Sequence, residues 1–128
     1  MLDLIIKNGK CYIDGQLKDV NISVKDGKIQ KIGQITEDAK DTIDATGLIV
    51  LPGCMDTQTH FREPGSTDTE DLHSGSRAAI VGGITSVFEM PNTNPPTSTK
   101  KEFQRKLDLA KNRMYCNYAF YFGATADN

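Results

Sequence analysis

The first part of the chain alternates hydrophobic and polar residues over short segments, a pattern that predicts β-strands rather than helices. Asp14-Gly15 and Asp26-Gly27 fall between such segments and are typical of tight hairpin turns. The strands that we predict here are Leu4–Ile6, Lys10–Ile13, Val20–Val24, Ile29–Ile32 and Leu48–Leu51. Residues 1–52 are therefore expected to form a small β unit.

After Pro52-Gly53 the hydrophobic spacing changes, and predicted strands begin to alternate with predicted helices. This order is typical of βαβ units, which build a parallel sheet. The strands are predicted directly after Gly53, at Ile84–Glu89 and at Tyr115–Phe122, and the helices at 68–81 and 99–112. We therefore predict an α/β unit over residues 53–128.

Each predicted helix begins at a capping box, in which a threonine and a glutamate three residues later satisfy free backbone amides. The two pairs are Thr67 with Glu70 and Thr99 with Glu102. The second helix carries an apolar face that suits packing on a sheet, formed by Phe103, Leu107 and Ala110. Its basic residues are interpreted as a solvated face, formed by Lys100, Lys101, Arg105 and Lys106.

The composition is that of an ordinary globular protein, with 38% hydrophobic and 25% charged residues among 128. A formal net charge of −2 provides no broad basic surface, so we expect neither nucleic acid nor a membrane as partner. The N-terminus lacks the pattern of a secretory signal, and we expect a cytoplasmic location. Cys11, Cys54 and Cys116 are widely spaced and are expected to be reduced, partly buried thiols, with Cys54 favoured for packing.

The segment that follows Cys54 carries the candidate chemistry. If it stays extended, Asp56, Gln58, His60 and Arg62 all point to one face of the strand. An Asp-x-His-x-His run in this geometry would offer two imidazoles to a divalent metal. Here the amide of Gln58 stands where the first imidazole would be, and an amide oxygen is a weaker ligand for zinc.

Three segments resemble, in order, the N-terminal portion of class I dihydroorotases of the cyclic amidohydrolase superfamily. They are residues 52–56 (Pro-Gly-Cys-Met-Asp), 60–65 (His-Phe-Arg-Glu-Pro-Gly) and 89–97 (Glu-Met-Pro-Asn-Thr-Asn-Pro-Pro-Thr). The resemblance implies a hydrolase of pyrimidine biosynthesis that interconverts N-carbamoyl-L-aspartate and dihydroorotate. It also implies that residues 53–128 hold the first three strands and two helices of a (β/α)8 TIM barrel, incomplete, and that residues 1–52 belong to a composite β domain. Allantoinases and dihydropyrimidinases are the nearest alternatives among enzymes.

The same resemblance implies roles for individual residues. Zinc would polarise the amide and activate water, with His60 and Gln58 at the metal-ligand positions. Arg62 and Asn92 would hold the substrate carboxylate, and a planar guanidinium suits a carboxylate independently of the resemblance. Two simpler interpretations stay open, an ion pair for Arg62 and a turn cap for Asn92. Asp56 would either orient a ligand or bond to nearby backbone amides.

The resemblance also implies that later barrel strands supply further ligands and a catalytic aspartate. Because the sequence reaches Asn128 after about three strands, we expect a truncated, dihydroorotase-like protein that neither retains zinc nor acts alone. Its expected partner is a complementing C-terminal chain, a second copy or a pyrimidine-pathway enzyme, and the small-molecule substrate binds only after complementation. The alternatives are a non-catalytic interaction module and a non-functional remnant.

Overall fold

The computed structural model describes residues 1–128, which divide into two units, Met1–Pro52 and Gly53–Asn128. The first unit contains seven strands: β1 (Leu2–Lys7), β2 (Lys10–Ile13), β3 (Gln16–Asp19), β4 (Asn21–Lys25), β5 (Lys28–Gly33), β6 (Ala39–Asp44) and β7 (Ile49–Val50). They form one sheet of order β5-β4-β1-β6 and another of order β3-β2-β7. Asp14-Gly15 and Asp26-Gly27 form the two predicted hairpin turns, and all four residues have positive φ, as a type I′ turn requires.

The sequence prediction misses β3 and β6. Strand β3 has a single apolar residue, Leu17, and the hairpin turn places it opposite Tyr12 of β2. Strand β6 is mostly exposed and half of its residues are charged, and it pairs in parallel with β1, far away in sequence. In both cases the neighbouring strand, rather than local hydrophobicity, decides the conformation.

The second unit contains β8 (Cys54–Thr59), α1 (Leu72–Val81), β9 (Ile84–Glu89), α2 (Lys100–Ala110) and β10 (Asn117–Phe120). Its three strands form a parallel sheet of order β10-β9-β8, with a helix in each connection. This confirms the predicted α/β architecture. Neither helix is long and apolar enough to span a membrane.

The predicted start of α1 is wrong, because a different pair of residues caps the helix. Asp71 accepts a hydrogen bond from the backbone amide of Ser74 at 2.6 Å, and the Ser74 hydroxyl accepts one from the Asp71 amide at 3.1 Å. The bonds from Ser74 hold the pKa of Asp71 below its usual 3.8. The helix therefore begins at Leu72 rather than near residue 68. The start of α2 agrees with the prediction, since Thr99 accepts from the backbone amide of Glu102.

The core of the second unit joins both helices to the sheet and consists of Phe61, Leu72, Val87, Ala110, Cys116 and Phe120. Phe103 and Leu107 pack against it, as their helical spacing predicts. Lys106, however, is fully buried, so its assignment to a solvated face is wrong. Cys11 and Cys116 are buried, whereas Cys54 is exposed, contrary to the packing expected for it.

Candidate functional site

Two loops lie at the carboxyl ends of neighbouring parallel strands. The His60 loop (residues 60–66) follows β8, and the Asn92 loop (residues 90–98) follows β9. In α/β sheets, this edge is where ligands bind, because loops from adjacent strands converge there. The arrangement brings together two of the residues singled out from the sequence, His60 and Asn92.

The two loops are bonded to each other. His60 Nδ1 lies 2.9 Å from Asn92 Oδ1, and the backbone amide of Asn94 donates to the Pro64 carbonyl at 2.9 Å. Gly65 has a φ of +123°, and a Cβ at this position would come within 2.8 Å of the Asn94 Cβ. A larger residue than glycine would therefore push the loops apart.

The contact between His60 and Asn92 selects one tautomer of the neutral imidazole. Because a carbonyl oxygen can only accept, Nδ1 carries the proton in that contact, and the lone pair of the neutral ring lies on Nε2. The side-chain nitrogen of Asn92 makes no hydrogen bond within the chain and remains a free donor at an exposed position. The side chain of Asn92 thus bonds to His60 rather than capping its own turn.

Arg62 does not share a strand face with the other candidates, contrary to the sequence prediction. Strand β8 ends at Thr59, its pairing with β9 is irregular after Asp56, and Arg62 itself has a φ of +62°. A non-glycine residue in this region costs about 1–2 kcal/mol. The Arg62 side chain is exposed and makes no hydrogen bond or ion pair within the chain, so the ion-pair interpretation is not seen. Its guanidinium is free to bind a ligand.

Asp56 and Gln58 make only local contacts. The Asp56 carboxylate accepts from the backbone amide of Gln58 at 2.9 Å, which is the backbone-bonding alternative, and it makes no hydrogen bond to His60. The Gln58 side chain is exposed and has no hydrogen-bond partner in the chain. It borders a shallow cavity of about 330 Å³ together with Thr57, Met90 and Tyr121.

These side chains do not fit a metal ion by themselves. No group of three or more His, Cys, Asp or Glu side chains lies close enough together to hold one. A catalytic zinc usually needs three protein ligands, and this edge offers one imidazole, that of His60. We therefore derive no catalytic step through a metal from the residues of this chain.

The sequence prediction does not include a buried ion pair that lies beneath the loops. Lys106 of α2 pairs with Glu89 at the end of β9, and their side chains are 0% and 1% exposed. Burial raises the pKa of Glu89 and lowers that of Lys106, and the attraction between the two charges opposes both shifts. The signal was present in the sequence, since Lys106 lies three residues after Phe103 and four before Ala110, on the apolar face of the helix.

A second buried carboxylate, Glu63, fastens the His60 loop to the helices. Glu63 accepts from the backbone amide of Leu72 at 2.9 Å and from both terminal nitrogens of Arg113 at 2.8 and 3.1 Å. The hydrogen bond with Glu63 raises the pKa of Arg113 above its usual value. Such two-point pairing fixes direction as well as distance. The His60 loop is therefore held at both Phe61 and Glu63, on either side of Arg62.

We predict that Asn92→Ala allows the His60 imidazole to populate both of its neutral tautomers. Without the carbonyl acceptor, the Nδ1 proton loses its partner, and the imidazole ¹⁵N chemical shifts should move toward those of a mixture of tautomers. Asn92→Asp keeps an acceptor oxygen, so the ¹⁵N shift of Nδ1 should remain that of a protonated nitrogen. Unchanged ¹⁵N shifts in Asn92→Ala would contradict this assignment.

Comparison with known proteins indicates the family of the chain. A model of the amidohydrolase family matches residues 49–126. Allantoinase from Escherichia coli O1:K1 / APEC is 45% identical over 127 residues, which is 98% of this chain and 28% of that protein. Allantoinase from Salmonella choleraesuis (strain SC-B67) is 43% identical with the same coverage. The chain thus spans 28% of the length of these curated relatives.

Solved structures lead to the same group of enzymes. L-hydantoinase (dihydropyrimidinase) from Arthrobacter aurescens has a TM-score of 0.88 and 35% identity, over 98% of this chain and 29% of that one. D-hydantoinase (dihydropyrimidinase) from Thermus sp. has a TM-score of 0.79 and 30% identity, over 94% and 27%. The names allantoinase and hydantoinase match the alternative left open by the sequence, and they give no specific support to dihydroorotase. The family match over most of the chain is decisive at a coarser level: the chain belongs to the amidohydrolase family.

Proposed function

We propose that this chain forms the N-terminal part of a cyclic-amide hydrolase of the allantoinase and hydantoinase kind. In this proposal, the His60 and Asn92 loops form one side of the site that binds the ring. The observation that carries the proposal is the identity with allantoinase, which extends over nearly the whole chain and includes both loops.

We infer further that residues 53–128 are part of a (β/α)8 barrel. Strands β8, β9 and β10 are parallel neighbours in the sheet, and a helix lies between each strand and the next in sequence. Such barrels are built from this strand–helix repeat. The likeness to the hydantoinase structures supports the same inference. In a barrel, catalytic residues come from the carboxyl ends of the strands, which is where both loops lie.

The roles that we propose follow from the free donors and acceptors at this edge. Asn92 binds the Nδ1 proton of His60 and so directs the Nε2 lone pair away from itself. The Asn92 side-chain nitrogen and the Arg62 guanidinium then donate to oxygen atoms of the substrate. The carbonyl groups of a hydantoin-type ring are acceptors of this kind.

A second candidate substrate is a ring that carries a carboxylate, as dihydroorotate does. The observation that favours it is the guanidinium of Arg62, which is exposed and has no counter-ion within the chain. Guanidinium binds carboxylate in a planar, two-point geometry, whereas a neutral ring would use only part of that capacity. The two candidates share the reaction, hydrolysis of a cyclic amide, and differ in the charge of the substrate.

Ring-opening assays on the natural protein that carries this chain test the proposal. Allantoin, a 5-substituted hydantoin and dihydroorotate should be offered separately, with and without added Zn²⁺. Opening of allantoin or hydantoin supports the first candidate, and preferential opening of dihydroorotate supports the second. A folded protein that opens none of the three under either condition would refute a cyclic-amide hydrolase.

Arg62→Ala should separate the two substrate classes. Loss of a hydrogen-bonded contact to a charged group costs about 1.5–3 kcal/mol, so kcat/KM for a carboxylate-bearing ring should fall about tenfold to a hundredfold. The fall should be smaller for a neutral ring. Arg77→Ala, at an exposed position on α1, is the matched control and should leave both rates unchanged. Equal losses of kcat/KM for both substrates would show that Arg62 does not bind the substrate carboxylate.

A further inference from the structure

The buried ion pair between Glu89 and Lys106 touches the backbone of both loops. Glu89 uses one carboxylate oxygen to pair with Lys106, while its other oxygen accepts the backbone amide proton of Phe61 at 3.2 Å. Phe61 lies between His60 and Arg62 in the sequence, so this bond fixes the point from which both side chains leave the backbone. The Lys106 ammonium also donates a hydrogen bond to the Met90 carbonyl at 2.9 Å.

The Lys106 ammonium is therefore linked to both loops of the candidate site. Through Glu89 it acts on the His60 loop, and through Met90 it acts on the start of the Asn92 loop. Lys106 also lies over the ring of Phe120, 5.2 Å from its centroid, which holds the ammonium in place from the β10 side. None of these contacts reaches the exposed side of the loops where a ligand would bind.

We propose that Glu89, held in place by Lys106, is a positioning residue that sets the conformation of the His60 loop and thereby the contact between His60 and Asn92. The proposal rests on the proposed function only where it gives the contact between His60 and Asn92 a role in binding the substrate. The contact itself, and the bonds that position it, are properties of the folded chain. A buried charged pair is not needed for stability alone, since well-packed apolar residues of similar size often replace such pairs without loss.

Two double variants distinguish positioning from packing. Glu89→Met with Lys106→Met removes both buried charges and also the acceptor for the Phe61 amide. Glu89→Gln with Lys106→Met removes the same charges but keeps a carbonyl oxygen that can accept the Phe61 amide proton. For the proposal, the two double variants therefore differ in one atom, the acceptor oxygen of the side chain at position 89.

Hydrogen exchange of the Phe61 amide and the ¹⁵N shifts of the His60 imidazole are the measurements, and neither depends on enzymatic activity. In the Met/Met variant, exchange at Phe61 should accelerate about tenfold or more, and the His60 shifts should move. In the Gln/Met variant, both should stay near their values in the unchanged protein. Lys101→Met, at an exposed position on the same helix, is the control and should change neither.

Equal behaviour of the two double variants, both native-like or both altered, would overturn the proposal in favour of a packing role. If the Met/Met variant does not fold, hydrogen exchange of the Phe61 amide in the unchanged protein is the test. There the Phe61 amide should exchange as slowly as the amides of β9. Exchange as fast as that of the exposed Thr67, whose amide has no partner in the chain, would equally overturn the proposal. A failed ring-opening assay would leave these measurements unaffected.

Discussion

Replacing Lys106 by methionine should lower the free energy of unfolding by about 3–5 kcal/mol near neutral pH. Methionine fills much of the volume of the lysine stem, so the loss comes from the charge rather than from a cavity. Glu89 would keep a carboxylate that is 1% exposed and has lost its counter-ion. Urea unfolding followed by circular dichroism gives the magnitude, and Lys101→Met on the exposed side of the same helix should cost less than about 0.5 kcal/mol.

The loss in Lys106→Met should depend on pH in a defined direction. Burial already raises the pKa of Glu89 above its usual 4.5, and without Lys106 the two largest opposing interactions, its hydrogen bond and its charge, are lost. A group whose folded-state pKa is raised stabilises the protein below its unfolded value and loses that contribution as pH rises through the folded value. The variant should therefore be closest to the unchanged protein near pH 4 and furthest from it at pH 8. A difference in stability that does not vary with pH would show that Lys106 does not shift the pKa of Glu89.

Leu72→Ala should have a comparable effect, with a loss of about 2–5 kcal/mol. Leu72 is 0% exposed at the first position of α1, where it packs in the same cluster as Phe61 and Val87. Removal of three carbon atoms leaves a cavity among side chains from the sheet, both helices and the His60 loop. Denaturant unfolding checks the value, and the midpoint should fall without a large change in slope.

The matched control for Leu72→Ala is Ile80→Ala on the same helix. Ile80 is 40% exposed, so its truncation removes less buried surface than Leu72→Ala and should cost less. Similar losses at the two positions would mean that Leu72 is not the main contact of α1 with the core.

The features that could be predicted from sequence are those encoded over a few neighbouring residues. Strands β2 and β9, the two Asp-Gly hairpin turns and the Thr99 cap agree with the prediction because local spacing and turn chemistry determine them. Strand β6 could not be predicted, since its pairing partner β1 lies more than thirty residues earlier. The start of α1 was misplaced because Thr67 and Glu70 satisfy the same local rule as Asp71 and Ser74, and only the packed structure chooses between them.

The candidate site shows the same division. The motif residues His60 and Asn92 were recognised from sequence, but the bond between their side chains joins positions 32 residues apart and depends on strand pairing. The shared strand face predicted for Arg62 failed because β8 ends at Thr59, before the chain turns. The sequence prediction places Lys106 on the solvated face because of its charge, although its spacing from Phe103 and Ala110 indicates the buried face.

The bonds between the two loops have a consequence for protein engineering. Gly65 fits against Asn94, the Pro64 carbonyl binds the Asn94 amide, and His60 binds Asn92, so each loop is shaped to the other. Either loop transplanted alone from a relative would meet a partner surface built for a different sequence. Exchange of residues 60–66 and 90–98 as one cassette keeps this fit, so under the proposed function substrate range should be altered through paired grafts rather than single ones.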